Sequence, residues 1–198
     1  MPSKPLDRVT IFNVTIVVEA ILLLTATFWS QLGEIYLLPI FRCHRVFVFY
    51  GLLGGLFTAS SGFALLWLAR SYGESSKWLG TLKSIVLDEV APLFAQFTLP
   101  DIIMVAATSG FCEEVFFRGV IQEQSGIVAA SAFFGIFHCP SFRHFPYGVW
   151  AFCAGLFLGF LKDYTGSIWT PIIAHAVSNF VVLLYLRYGL KEAVKEIS

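Results

Sequence analysis

Two long apolar runs near the start of the chain constrain its fold more than any other feature of the sequence. Residues 11–30 contain one charged side chain, Glu19, and residues 46–69 contain none. A bilayer core of about 30 Å requires roughly 20 mainly apolar residues in a spanning helix, and both runs meet that length. Each run therefore predicts a transmembrane helix, and the chain is predicted to be an integral membrane protein.

The composition of the whole chain points to the same environment. Of its 198 residues, 57% are hydrophobic and 13% are charged, whereas an average soluble domain has about 25% charged residues. The net charge is zero, and the basic residues occur near segment ends without forming a stripe. Nucleic-acid binding requires a basic patch, so the expected surroundings are a lipid bilayer and no nucleic-acid partner is expected.

Further apolar segments predict an all-α fold, a polytopic membrane helix bundle of about six transmembrane helices. Residues 79–97 have apolar side chains at helical spacing, but Lys83, Asp88 and Glu89 interrupt them. This pattern is typical of an amphipathic helix that lies in the membrane interface or packs against the bundle. The six predicted spans are residues 11–30, 46–69, 102–121, 127–138, 147–161 and 168–186.

The distribution of basic residues predicts the orientation in the membrane. With six spans and a non-spanning helix at 79–97, Arg42, Arg45 and Lys162 fall on one side. Nine basic residues then fall on the other side, so both termini are predicted to be cytoplasmic in a multi-pass protein of the cell (inner or plasma) membrane. These nine are Lys4, Arg8, Arg70, Lys77, Lys83, Arg143, Arg187, Lys191 and Lys195.

Two adjacent carboxylates and an arginine interrupt the apolar segment at 102–121. Ionisable groups inside membrane segments are rare and are functional candidates. Glu114 and Arg118 are four residues apart, the spacing of an ion pair on one helix face. Glu113 lies about 100° further round the helix, so it points elsewhere. Glu114 is therefore predicted to be structural, and Glu113 is predicted to be the general base.

Two further helices bring polar side chains into the apolar bundle. His138 ends one predicted span, and His175 and Asn179 lie four residues apart in the last one. Each alone is consistent with hydrogen bonding between membrane helices. Together with Glu113 they can supply a base, an imidazole that orients water, and donors for a developing oxyanion. This set predicts hydrolysis of a carbonyl substrate by an activated water molecule.

The motifs Glu113-Glu114-x-x-x-Arg118, Phe134-x-x-x-His138 and His175-x-x-x-Asn179 together resemble the signature of a known family. This is the CPBP family of intramembrane glutamic endopeptidases, which includes type II CAAX prenyl proteases and bacterial proteins tied to bacteriocin immunity. The resemblance implies that Glu113 and His138 activate the water molecule. It also implies that His175 and Asn179 stabilise the oxyanion, with Glu114 and Arg118 in support.

The resemblance also implies an organisation and a partner for the chain. Residues 100–198 are predicted to form the catalytic helical core, and residues 1–99 the N-terminal transmembrane helices and the interfacial helix, in one integrated membrane domain. The implied substrate is a membrane-anchored protein or peptide. No cofactor and no metal ion are implied, and the oligomeric state is left open.

Three alternatives stay open from the sequence. Two histidines and a glutamate could bind catalytic zinc, although the chain contains no HExxH motif. The same fold could also act as a non-catalytic binding or immunity protein. Intramembrane acids and histidines are found in proton pathways as well, which leaves a small transporter or channel as the third possibility.

Glu19 is the one charged residue of the first predicted span. No partner accompanies it in the sequence. The preferred interpretation is a structural carboxylate that faces the bundle interior or pairs with a polar neighbour, and the alternative is a second functional acid.

Overall fold

A computed structural model describes residues 7–190, which form helices connected by turns and loops and contain no β-strand. The predicted all-α fold class is confirmed. Two π-helical segments, Val115–Ile121 and Tyr185–Gly189, continue α5 and α8. The helices are α1 (Arg8–Leu32), α2 (Arg45–Tyr72), α3 (Lys77–Ser84), α4 (Ala91–Phe94), α5 (Leu99–Glu114), α6 (Gln122–Phe137), α7 (Phe145–Thr165) and α8 (Trp169–Leu184).

Within residues 7–190, five helical runs are long and apolar enough to cross a membrane, where the sequence predicted about six. The difference arises because the predicted spans 102–121 and 127–138 belong to one run, Leu99–Phe137. That run is broken at Gly126, whose φ of 83° suits glycine. Beyond the break, the remaining eleven residues extend only about 16 Å at 1.5 Å per residue. This short helix covers about half of a bilayer core.

The number of crossings bears on the predicted orientation. Six crossings place the two termini on the same side of the membrane, and five place them on opposite sides. The cytoplasmic location of both termini therefore stays a prediction. Lys4, Lys191 and Lys195, which contribute to the predicted charge asymmetry, lie outside the described residues.

The segment predicted as an amphipathic helix at residues 79–97 is helical. It comprises α3, a π-helical stretch at Ile85–Val90, and α4. It is not among the five runs that could span a membrane, and it packs against α2 and α7. Its position at the membrane interface stays a prediction.

Helix α1 has one face toward the bundle interior and the rest of its surface toward lipid. Its buried residues fall on one stripe, whereas its remaining surface carries large exposed apolar side chains. In water such a surface would be unfavourable, but lipid accommodates it. Together with the five long apolar runs, it identifies a multi-pass integral membrane protein. The buried stripe consists of Ile11, Glu19, Leu22, Ala26 and Ser30.

The start of α5 is tied to the start of α1. Thr98 is the N-cap of α5, and Asp101 accepts a hydrogen bond from the Thr98 backbone N–H at 2.6 Å. Asp101 thus occupies the third position of a capping box. Asp101 also accepts hydrogen bonds from Arg8 Nε at 2.6 Å and Nη2 at 2.8 Å. This pair fixes α1 beside α5.

Helices α5 and α8 approach each other most closely at Gly110. A Cβ atom added there would lie 2.7 Å from the backbone nitrogen of Ala176 and 2.9 Å from its Cβ. Real side chains do not tolerate such distances, and a helix backbone cannot move aside as a flexible side chain can. The absence of a side chain at Gly110 therefore allows the contact between the helix that carries Glu113 and the helix that carries His175.

We expect Gly110→Ala to lower the free energy of unfolding by about 1–3 kcal/mol, the usual effect of overpacking a close contact. The matched control is Gly62→Ala in α2, where an added Cβ would meet Trp150 at an ordinary 3.4 Å. Thermal unfolding in detergent micelles, followed by tryptophan fluorescence, measures both variants. Equal melting temperatures for the two variants would contradict the close approach at Gly110.

Candidate active site

The four residues predicted to be catalytic line one cavity. Glu113 reaches it from α5, His138 from the end of α6, and both His175 and Asn179 from α8. The cavity has a volume of about 230 Å³. Pockets for drug-sized ligands measure roughly 300–1,000 Å³, so this one has room for a short piece of a peptide backbone. Folding therefore brings together three motifs that are far apart in the sequence.

Glu114 and Arg118 form a fully buried ion pair behind the cavity. Arg118 Nη1 donates to Glu114 Oε1 at 3.1 Å, and neither side chain is exposed. Arg118 Nη2 donates to the backbone oxygen of Gly155 at 3.1 Å, and the guanidinium lies 4.5 Å from the centre of the Phe134 ring. The structure thus contains the pair that the spacing predicts, and this pair anchors α5 to α7 and to α6.

The pair also orients His175. Its Nδ1 lies 2.9 Å from Glu114 Oε1, the same oxygen that Arg118 contacts. An ionised carboxylate only accepts hydrogen bonds, so Nδ1 carries a proton and the ring is held by Glu114. The second nitrogen, Nε2, is the ring atom left for a ligand. In the imidazolium form both ring nitrogens are donors.

His138 is also held through its Nδ1. Its Nδ1 lies 2.8 Å from the backbone oxygen of Phe134, one helical turn earlier. A carbonyl oxygen only accepts, so Nδ1 carries the proton and Nε2 of the neutral ring has a free lone pair. The Phe134 ring packs against this imidazole with 4.5 Å between ring centres. His138 therefore presents a hydrogen-bond acceptor that is suited to a water molecule.

Asn179 is positioned by a residue that the motifs do not include. Its Nδ2 donates to Ser109 Oγ at 2.8 Å, and the amide has a second N–H that remains for a ligand. Ser109 lies one helical turn before Glu113 on α5. The i, i+4 spacing to Glu113 was the sequence signal that could have found it, because such residues share a helix face.

Glu113 differs from its neighbour Glu114 in its surroundings. Glu114 is fully buried and bonded to Arg118 and His175, whereas Glu113 is half-buried and lines the cavity. Within residues 7–190 no ion pair involves Glu113. The arrangement agrees with the division between a structural and a free carboxylate that the helix geometry predicts.

The cavity wall also contains residues that sequence reasoning did not assign to the site. Tyr147 and Trp150 come from α7, and Glu19 comes from α1. The ring centres of His138 and Tyr147 are 5.9 Å apart. Aromatic residues at helical spacing ordinarily indicate packing, so no sequence signal separated Tyr147 and Trp150 from the many other aromatics of this chain.

The zinc alternative depends on three ligands meeting at one point. Among residues 7–190, no group of three or more His, Cys, Asp or Glu side chains is arranged to hold a metal ion. His175 Nδ1 is occupied by Glu114 and His138 Nδ1 by a backbone oxygen, so only the Nε2 atoms remain for ligation. The metal independence of the chemistry stays a prediction.

Comparison with known proteins gives one family and one relative. Residues 95–181 match the family described as type II CAAX prenyl endopeptidase Rce1-like, and this segment contains all three motifs. Over 96 residues the chain is 27% identical to the uncharacterized protein YpbD of Bacillus subtilis (strain 168). The alignment covers 48% of this chain and 51% of the relative, so the chain spans about half the length of that curated relative. No solved structure matches the chain.

Proposed function

Since residues 95–181 match the Rce1-like family of type II CAAX prenyl endopeptidases, we propose that this protein is an intramembrane glutamic endopeptidase. It hydrolyses a peptide bond of a membrane-anchored protein or peptide. One observation carries the proposal. Four polar side chains, Glu113, His138, His175 and Asn179, line a single cavity within an apolar bundle.

In the proposed reaction, a water molecule is held by two acceptors. One of its hydrogens points to the Glu113 carboxylate and the other to His138 Nε2, which leaves an oxygen lone pair free to attack the peptide carbonyl carbon. Glu113 takes the proton as the new C–O bond forms, as a general base does. The half-buried position of Glu113 and the acceptor tautomer of His138 support these roles.

The attack leaves a negative charge on the former carbonyl oxygen. His175 Nε2, in the imidazolium form, and the second amide N–H of Asn179 donate to that oxygen. Donors that are fixed in advance lower the barrier because they need no reorganisation when the charge develops. Glu114 fixes His175, and Ser109 fixes Asn179. The C–N bond then breaks, and the nitrogen takes up a proton as the amine leaves.

The proposed substrate and location follow from the surroundings of the cavity. Much of its wall is apolar, including Phe94, Val105 and Leu183. An extended peptide from a membrane-anchored substrate can enter a cavity with such a wall. The charged groups that it meets there are those of the site. We place the protein in the cell membrane with both termini cytoplasmic. This orientation requires six crossings, which put nine basic residues on the cytoplasmic side and three on the other.

We expect His138→Ala to lower the turnover of a membrane-anchored peptide reporter by about 10²- to 10⁴-fold, the range for a residue that assists proton transfer. The matched control is His44→Ala, since His44 is exposed at the start of α2 and does not line the cavity. Turnover is measured with purified full-length protein in proteoliposomes. Wild-type turnover by a folded His138→Ala variant would contradict the role of His138.

A further inference from the structure

Glu19 reaches the cavity from a part of the chain that the family match does not include. It lies on α1, outside residues 95–181, and its side chain lines the same cavity as Glu113. It is 5% exposed. The preferred sequence interpretation was a structural carboxylate that faces the bundle interior or pairs with a polar neighbour. The side chain does face the interior, and pairing would require a hydrogen bond to it.

The structure does not provide that bond. Glu19 Oε2 is buried and has no hydrogen-bond partner among residues 7–190. A buried carboxyl group without a partner is costly, and it is more so when charged. The described residues that line the cavity include no lysine or arginine that could pair with it. Because the Glu19 side chain lines the cavity, its carboxyl group lies beside any ligand there and is not held by a hydrogen bond from the described residues.

The position of Glu19 is fixed on both sides along α1. Toward the N-terminus, Arg8 is bonded to Asp101 of α5. Toward the C-terminus, Leu22 and Ala26 pack in a core cluster with Val115, which follows the motif glutamates. The helix cannot turn Glu19 outward without exposing this stripe, so the carboxyl group is held beside the site.

We propose that Glu19 is the general acid that protonates the leaving amine of the cleaved peptide. The proposal rests on the proposed function, in which Glu113 takes a proton from water and the C–N bond then breaks. Glu19 in its carboxylic acid form gives its proton to the departing nitrogen and becomes a carboxylate. The proton held by Glu113 then passes to Glu19 through water in the cavity. One water molecule and one peptide bond give one carboxylic acid and one amine.

Two substrates that differ only in the leaving group test this role. An amide needs a proton on its nitrogen before it departs, whereas a matched thioester releases a thiolate that needs no general acid. We expect Glu19→Gln to lower hydrolysis of a membrane-anchored peptide amide by about 10²- to 10⁴-fold. Hydrolysis of the matched thioester should change by no more than about threefold, because general-acid assistance is absent from that step. Glu113→Gln should slow both, since both require the attacking water.

Two further variants complete the test. Thr15→Val alters the same cavity wall one turn earlier on α1. The Thr15 hydroxyl donates to the backbone oxygen of Ile11 at 3.0 Å. This variant should leave the ratio of amide to thioester hydrolysis rates unchanged. Glu19→Asp keeps the acid and should retain more amide hydrolysis than Glu19→Gln. If the glutamine variant fails to insert into the membrane, the ratio of amide to thioester hydrolysis rates of Glu19→Asp provides the test.

Other outcomes overturn the proposal. An equal loss on amide and thioester for Glu19→Gln would assign Glu19 a structural role. A loss confined to peptides with lysine or arginine beside the scissile bond would make it a cation-binding residue. If wild-type protein cleaved neither substrate, or Glu113→Gln cleaved both normally, the proposed function itself would fail. Those results can be told apart from results that contradict only the role of Glu19 as general acid.

Discussion

Replacing Glu113 with glutamine should lower peptide-bond cleavage by about 10²- to 10⁴-fold while leaving the stability of the bundle unchanged. Glutamine has nearly the same size as glutamate but cannot take a proton from water. No ion pair of the described residues is lost in this variant, because Glu113 lines the cavity while Glu114 holds Arg118. Turnover of a membrane-anchored reporter and the melting temperature in detergent measure the two effects separately.

The adjacent glutamate provides the matched control. Glu114→Gln keeps its shape but leaves Arg118 buried without a counter-charge and removes the carboxylate that holds His175. This variant should melt well below wild type, whereas Glu113→Gln should melt with wild type. If Glu113→Gln lowered the melting temperature and kept its activity, the two glutamates would have the reverse roles.

Replacing Arg118 with methionine should lower the free energy of unfolding by about 3–5 kcal/mol, the usual effect of removing one partner of a buried ion pair. Arg118 and Glu114 are fully buried, so no water can replace the lost partner. The variant also loses the hydrogen bond to the Gly155 backbone and the contact with Phe134. Chemical or thermal unfolding in micelles measures the change.

A double variant separates the effect of the unpaired charge on stability from the effect of lost packing. In Glu114→Gln/Arg118→Met neither charge is buried, and much of the lost stability should return because a neutral pair carries no desolvation penalty. His175 would then lack its carboxylate partner, so the double variant should remain slow in cleavage. An Arg118→Met variant as stable as wild type would contradict the importance of this buried pair.

The sequence predicts those parts of the site that depend on helix geometry alone. Spacing four residues apart predicted that Glu114 meets Arg118, and the neighbouring position predicted that Glu113 points elsewhere. These relations need no knowledge of tertiary packing, since they hold on any helix. The catalytic roles of the motif residues stay predictions that the variants above test.

Contacts between helices were harder to predict from the sequence. Gly126 lies between two spans that the sequence predicted to cross the membrane separately, because hydropathy does not distinguish a short buried helix from a crossing one. The hydrogen bond between Asn179 and Ser109 joins residues 70 positions apart. Such contacts depend on how α5 and α8 approach each other, and that approach is set by Gly110 and Ala176.

Glu19 shows the same limit most clearly. The sequence shows a single acid in an apolar run, and its periodicity predicts a helix but not which face lies inward. The inward face of α1 becomes known only when Leu22 and Ala26 are seen in the core cluster. The acid then proves to line the cavity of the motif residues without a partner for Oε2.

The most direct test of the account is cleavage of a membrane-anchored reporter library by the purified full-length protein, with the products identified by mass spectrometry. Wild type and Glu113→Gln are compared in proteoliposomes, each with and without a zinc chelator. We expect cleavage by wild type that persists with the chelator and is lost in Glu113→Gln. Cleavage that survived in a folded Glu113→Gln variant, or that stopped with the chelator and returned with zinc, would contradict a glutamate-dependent, metal-independent endopeptidase.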